Sequence, residues 1–176
     1  TLLHYCGGAQ PDAPLRPVGE GDRDVDFFTV IHGPSRSFHT SSIMARREYI
    51  TDPPDFHYAA AEHGFTDYAI GLWLAVNGKI RFIDRVMSVY RIGSNSAAWS
   101  ARLGAQYARL KEFIVGELAM MEKLLGHLDE EQSAATREVM LERQYELYYI
   151  EGRAEELVKP PYDRIHRRQP LKMRLT

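Results

Sequence analysis

Asp67 is the side chain with the plainest chemical potential in this sequence. It follows Gly64-Phe65-Thr66 and falls in the first turn of a predicted helix, where a carboxylate can project from the end of an element and accept a proton from a hydroxyl. An acid there also offsets the helix macrodipole by about 0.3–1 kcal/mol, which by itself accounts for many such residues. Arg91, directly after Tyr90 at the end of a strand-like run, offers a forked guanidinium to a phosphate or carboxylate; the plainer reading is a surface ion pair. Ser41 and Ser42 can hydrogen-bond a ligand's hydroxyls or simply fill a packed strand. His57 and His63 stand six apart outside any His-Glu-x-x-His frame and have no thiolate partners, so no metal ligand set is read in this chain. Neither a Gly-x-Ser-x-Gly elbow nor a phosphate-binding or dinucleotide-binding glycine loop occurs.

These residues need a scaffold, and the chain has 176 residues with which to build it. Area scaling lets a chain of this size bury about 70% of its unfolded surface, enough for one full core or two small ones. With 44% hydrophobic and 26% charged residues, the composition is that of an ordinary globular domain. Lys+Arg 22 against Asp+Glu 24 gives a net charge of −2, which argues against a nucleic-acid partner. The single cysteine, Cys6, excludes an intrachain disulfide framework. The longest nearly apolar stretch, 68–76, falls well short of the ~20 residues that span a bilayer. The chain opens on Thr1 with no secretory leader pattern, and it reads as a piece of something longer.

Residues 1–6 form a β-prone run closed by Gly7-Gly8, followed by a Pro- and Gly-rich loop to Gly21. The mixture of acids and apolar residues at 24–31 predicts a short helix. Residues 37–45 suit a buried strand feeding a site, and 46–50 a helical turn stopped by Pro53-Pro54. Thr66 is a candidate cap for a helix over 67–76, with Ile70, Trp73, Leu74 and Val76 at helical spacing and Asn77-Gly78 ending it. Two strand-like runs follow at 79–84 and 85–92.

Beyond 97 the pattern turns helical. Leu103, Tyr107, Leu110, Ile114, Leu118, Met121 and Leu125 make one apolar stripe. Asp129 and Gln132 have the spacing of a capping box, opening a second helix that should run from Glu130 to about Val158 before Pro160-Pro161. Its apolar face is read as Met140, Leu147, Ile150, Ala154 and Leu157, widened by Leu141, Tyr145 and Tyr148. Two such helices joined by a short link predict an antiparallel hairpin. Residues 159–176 carry six Lys or Arg against Asp163 alone, or +5, which reads as a solvated tail or as a segment drawn to an anionic membrane surface.

Five stretches taken in order carry a resemblance. They are Phe38-His39-Thr40-Ser41-Ser42-Ile43-Met44-Ala45-Arg46-Arg47, Pro53-Pro54-Asp55-Phe56, Gly64-Phe65-Thr66-Asp67-Tyr68, Gly78-Lys79-Ile80-Arg81-Phe82-Ile83-Asp84 and Val86-Met87-Ser88-Val89-Tyr90-Arg91. Together, over roughly residues 1–100, they resemble the acceptor-side half of bacterial family 2 glycosyltransferases. The resemblance implies an α/β (α+β) chain, with a partial mixed sheet of the GT-A type followed by a long C-terminal helical hairpin. Its divisions are an acceptor-side half at 1–96, the hairpin at 97–158 and the basic tail at 159–176.

The resemblance assigns roles residue by residue. Asp67 matches the general base of inverting members, Arg91 the arginine placed near the donor diphosphate, and Ser41, Ser42 and Thr66 lie where the acceptor is held. The implied partners are a nucleotide-sugar donor, a glycan or lipid-linked acceptor and a second copy of the chain, in the cytoplasm or at the periphery of the inner membrane. A divalent cation, Mg or Mn, is implied for the full-length parent and none for this chain alone, since the Asp-x-Asp half is expected before Thr1. Gly93 stands where many members carry a histidine that helps at the metal–diphosphate, with Ser94 and Asn95 as the nearest polar residues. The competing reading is a non-enzymatic helical interaction or oligomerisation module, in which Asp67 is a plain helix-start acid.

Overall fold

A computed structural model describes residues 2–5, 13–14, 21–33, 42–63, 66–86, 89–92 and 106–169. Strand β1 (Leu2–Tyr5) pairs antiparallel with β2 (Ala13–Pro14) and parallel with β5 (Val89–Ile92), in the register Leu2↔Val89 to Tyr5↔Ile92. A second sheet joins β3 (Arg23–Val25) to β4 (Ile80–Phe82) antiparallel. Helices supply the rest, so the mixed α+β class stands.

Residues 24–31 do not form one helix. Arg23–Val25 is strand because it has a partner: Asp24 meets Arg81 at 3.0 Å, and the Arg23 guanidinium lies 4.4 Å from the centre of the Phe82 ring. Asp26 then caps α1 (Phe27–His32), accepting from the Thr29 amide at 2.7 Å and the Thr29 hydroxyl at 2.6 Å. Residues 42–45, the described part of the expected buried strand, are not strand, and Met44 is 95% exposed. β-propensity measures fit to a paired, half-buried surface, and no described strand lies alongside. The helical turn expected next is present at Arg47–Tyr49.

Pro53-Pro54 does not stop the chain but starts it again, with α2 (Asp55–His63) following directly. Proline is tolerated at a helix start because its missing N–H would have no partner there. Phe56 and Ala60, one turn apart, point inward. Helix α3 (Thr66–Asn77) spans the predicted segment, with Thr66 inside its first turn rather than before it. Its buried face, however, is Tyr68, Ala69, Leu72 and Ala75, while Ile70, Trp73, Leu74 and Val76 are only partly covered. A segment apolar on nearly every side carries little phase information, and the smaller residues take the tighter face.

Helices α4 (Gln106–Leu124) and α5 (Glu130–Ile150) form the predicted antiparallel hairpin, with Lys111 meeting Glu151 at 2.6 Å and Glu117 meeting Arg143 at 2.9 Å. The Asp129–Gln132 capping box is present, with bonds of 2.8 and 3.3 Å. The stripe on α4 is turned from its predicted phase: Leu110 is exposed, while Gly116 and Glu117 are buried beside Ile114, Met120, Met121 and Leu124. On α5 the buried side chains are Ser133, Thr136, Val139, Tyr145 and Leu147, so Met140 and Ile150 sit only at the margin.

Helix α5 ends eight residues before the predicted point. Gly152 adopts φ +70°, and the Arg153 amide donates to the Tyr148 carbonyl at 3.0 Å, an arrangement that terminates a helix and favours glycine. A short α6 (Ala154–Leu157) and α7 (Asp163–Arg168) follow, the latter held to α5 by a 3.0 Å contact between the Tyr145 hydroxyl and His166 Nδ1. The described part of the basic segment, residues 159–169, thus carries a short helix joined to α5. One hydrophobic cluster runs from Phe27, Ile31 and Phe56 through Tyr68 and Leu72 to Met120, Leu124 and Val139, joining both halves of the chain in a common core. Among the described residues no helix is long and apolar enough to cross a membrane.

Candidate active site on helix α3

Thr66 and Asp67 occupy the first turn of α3, both half-buried. One turn farther along, Ile70 and Trp73 line a cleft of about 90 Å³, completed by Tyr49, Ile50, Pro53 and His57. Asp67 stands one turn before Ile70 on the same helix, at the flank of the face that lines the cleft. The cleft is built by cross-bracing. The Trp73 indole N–H donates to the Tyr49 carbonyl at 2.9 Å, tying the 47–49 turn to α3, and Phe56 meets Trp73 edge-on at 6.1 Å. His127, from the hairpin's link, packs edge-on against both rings at 5.6 and 5.7 Å and approaches Asp55 at 3.6 Å. Burial lowers the His57 pKa, favouring a neutral ring that can both donate to and accept from an uncharged ligand.

The opposite side of α3 is closed to solvent. Tyr68 is 1% exposed and its hydroxyl donates to the Ile31 carbonyl at 3.1 Å, fastening the first turn of α3 to α1. Glu117 of α4, also 1% exposed, lies close enough for its charge to act on that hydroxyl, and Arg143 of α5 faces both. Burial raises the Tyr68 and Glu117 pKa values; Arg143 partly offsets each shift. The hairpin, not the strand segments, supplies these charges.

The sequence-derived site residues fare unevenly. Asp67 and Thr66 come together by adjacency. Ser42 is exposed, ahead of the turn that flanks the cleft, and Ser41 lies outside the described residues. Arg91 stands in β5 opposite His4, in the other sheet, and its side chain lies outside the described part. Gly93, Ser94 and Asn95 do too. Among the described residues no three His, Cys, Asp or Glu side chains converge as metal ligands. Tyr49, His57 and Trp73 were not singled out as ligand contacts from sequence; the only available signal was their aromatic character on either side of Pro53-Pro54.

No family model, curated protein or solved structure matches this chain.

Proposed function

We propose that this chain is the C-terminal, acceptor-side part of a nucleotide-sugar-dependent glycosyltransferase of the GT-A type, with Asp67 as general base. The observation that carries the reading is the position of Asp67, half-buried in the first turn of α3, the helix whose following turns line an aromatic-walled cleft. An apolar, ring-walled recess with a neutral imidazole suits a sugar ring, and a carboxylate at its margin suits the hydroxyl that reacts.

The proposed step balances simply. The acceptor oxygen forms a bond to the anomeric carbon of the donor as its proton passes to an Asp67 oxygen. The bond from that carbon to the diphosphate breaks on the opposite face, giving inversion. Arg91 is placed in this scheme at the departing diphosphate, and Ser41, Ser42 and Thr66 hold acceptor hydroxyls. A divalent cation, Mg or Mn, would neutralise diphosphate charge when bound; its ligands belong to the nucleotide-binding half proposed to precede Thr1.

A second feature supports a larger enzyme. Ile83, Val86 and Val89, the last of them the first residue of β5, are 45%, 47% and 57% exposed, apolar side chains that a larger enzyme would cover. The proposed partners are a nucleotide-sugar, a glycan or lipid-linked acceptor and a second copy, with the basic 159–176 segment turned to the cytoplasmic face of the inner membrane. The interaction-module reading is weakened because the hairpin already spends Met120, Met121 and Leu124 on the common core. In the full-length enzyme, Asp67→Asn is expected to cut turnover about 100-fold or more with donor affinity retained. Unchanged turnover would end the assignment.

A further inference from the structure

Three of the side chains that line the cleft, Ile50, Pro53 and Ile70, carry no polar atom. A fourth, Trp73, carries one donor, and its indole N–H already donates to the Tyr49 carbonyl at 2.9 Å. The side-chain polar groups left to a ligand by these lining residues are the His57 ring and the Tyr49 hydroxyl. Ile50 is 49% exposed and takes no part in the common core, so its apolar surface is open to whatever enters. The indole wall is set in advance, with Phe56 edge-on at 6.1 Å and His127 at 5.7 Å. At about 90 Å³ the cleft falls well below the ~300–1,000 Å³ that encloses a drug-sized ligand, and it therefore receives one edge of a molecule and not the whole.

The chemistry of that edge follows from the walls. A hydroxymethyl group pressed against Ile50, Pro53 and Ile70 would lose its water without a partner in return, whereas a methyl in the same place gains from burial and leaves nothing unpaired. We propose that the cleft is a subsite for a methyl-bearing pyranose, which seats its methyl group against Ile50, Pro53, Ile70 and the Trp73 ring and turns a neighbouring hydroxyl to His57. The methyl is the C6 methyl of a 6-deoxyhexose or the acetyl methyl of a 2-acetamido sugar; both present the same chemistry to the walls. Burial favours the neutral His57 ring, which donates at one nitrogen and accepts at the other, as a sugar hydroxyl requires. The subsite rests on the reading of α3 as the acceptor-binding helix, and it adds the class of sugar that the acceptor presents there.

The test titrates this chain, followed by its backbone amides in nuclear magnetic resonance spectra, with matched pairs of methyl glycosides: the L-fucoside against the L-galactoside, and the N-acetylglucosaminide against the glucoside. In at least one pair the methyl-bearing member is expected to bind about fivefold or more tightly, with shifts on Tyr49 to His57 and Ile70 to Trp73. The pair that shows the preference tells the two sources of the methyl apart. Ile50→Thr, at a half-exposed position outside the core, is expected to reduce the preference to under about twofold. Equal or weaker binding of the methyl-bearing member in both pairs, with the same amides shifting, overturns the subsite and leaves α3 as the acceptor-binding helix. A preference undiminished in Ile50→Thr puts the methyl elsewhere and overturns the subsite too. If no glycoside moves those amides, the acceptor reading falls and the subsite with it.

Discussion

The two sides of α3 are made from the same twelve residues and do opposite things. Inward, Tyr68, Leu72 and Ala75 are buried, and the first turn is bonded to α1 through the Tyr68 hydroxyl. Outward, Asp67, Ile70 and Trp73 remain partly open, and an indole bond with edge-on ring contacts shapes a recess beside the last two. The rigid side makes the open side usable, since a carboxylate can aim at a ligand only if the backbone carrying it is fixed by something other than the ligand. The rigid side also holds the more consequential polar groups, because their interactions are not screened by water.

Breaking the inner side should have the largest effect. Arg143→Met leaves Glu117 buried without its partner, and a loss of about 3–5 kcal/mol is expected in denaturant unfolding. A loss under about 1 kcal/mol would mean that the pair is not functioning as a buried charge pair. The pH dependence of stability sharpens the same point. Burial raises the Glu117 pKa in the folded state, so the native protein holds a proton that the unfolded chain has released. Its contribution is therefore fully present below the ordinary glutamate pKa and is lost as pH rises through the raised folded value. Glu117→Gln should flatten that decline, and an unchanged curve would contradict it. On the outer side the effect is smallest. Trp73→Phe keeps the ring contacts but removes the bond to the Tyr49 carbonyl, for an expected cost of about 1 kcal/mol. If that cost matched the one for Arg143→Met, the contrast between the faces would not hold.

The hairpin was legible because its signals are local and redundant: the Asp129–Gln132 box, the α4 stripe and the short link agree with one another. Its end was not, since a glycine in a helical pattern is usually tolerated, and only the left-handed conformation of Gly152 shows that it terminates α5. Helix α2 was hidden behind Pro53-Pro54, although the Phe56 to Ala60 spacing was there to be read. Around the site, the extent of α3 and the place of Asp67 in its first turn could be anticipated from sequence, whereas which side of α3 is buried could not, as leucine, tryptophan and alanine appear all round it. The cleft joins residues 49–57 to residues 70–73, and the ion pair joins α4 to α5; both are products of packing between segments, which periodicity within a segment does not encode.

The central claim is that a sugar meets the Asp67 side of α3 and no other part of the helix. It can be tested on this chain by following its backbone amides in nuclear magnetic resonance spectra during titration with a panel of simple methyl pyranosides. The account predicts shifts gathered on Thr66 to Trp73 and on Tyr49 to His57, diminished in Asp67→Asn, with the amides of α5 unmoved. Shifts confined to α5–α7, or none at saturating glycoside, would contradict it.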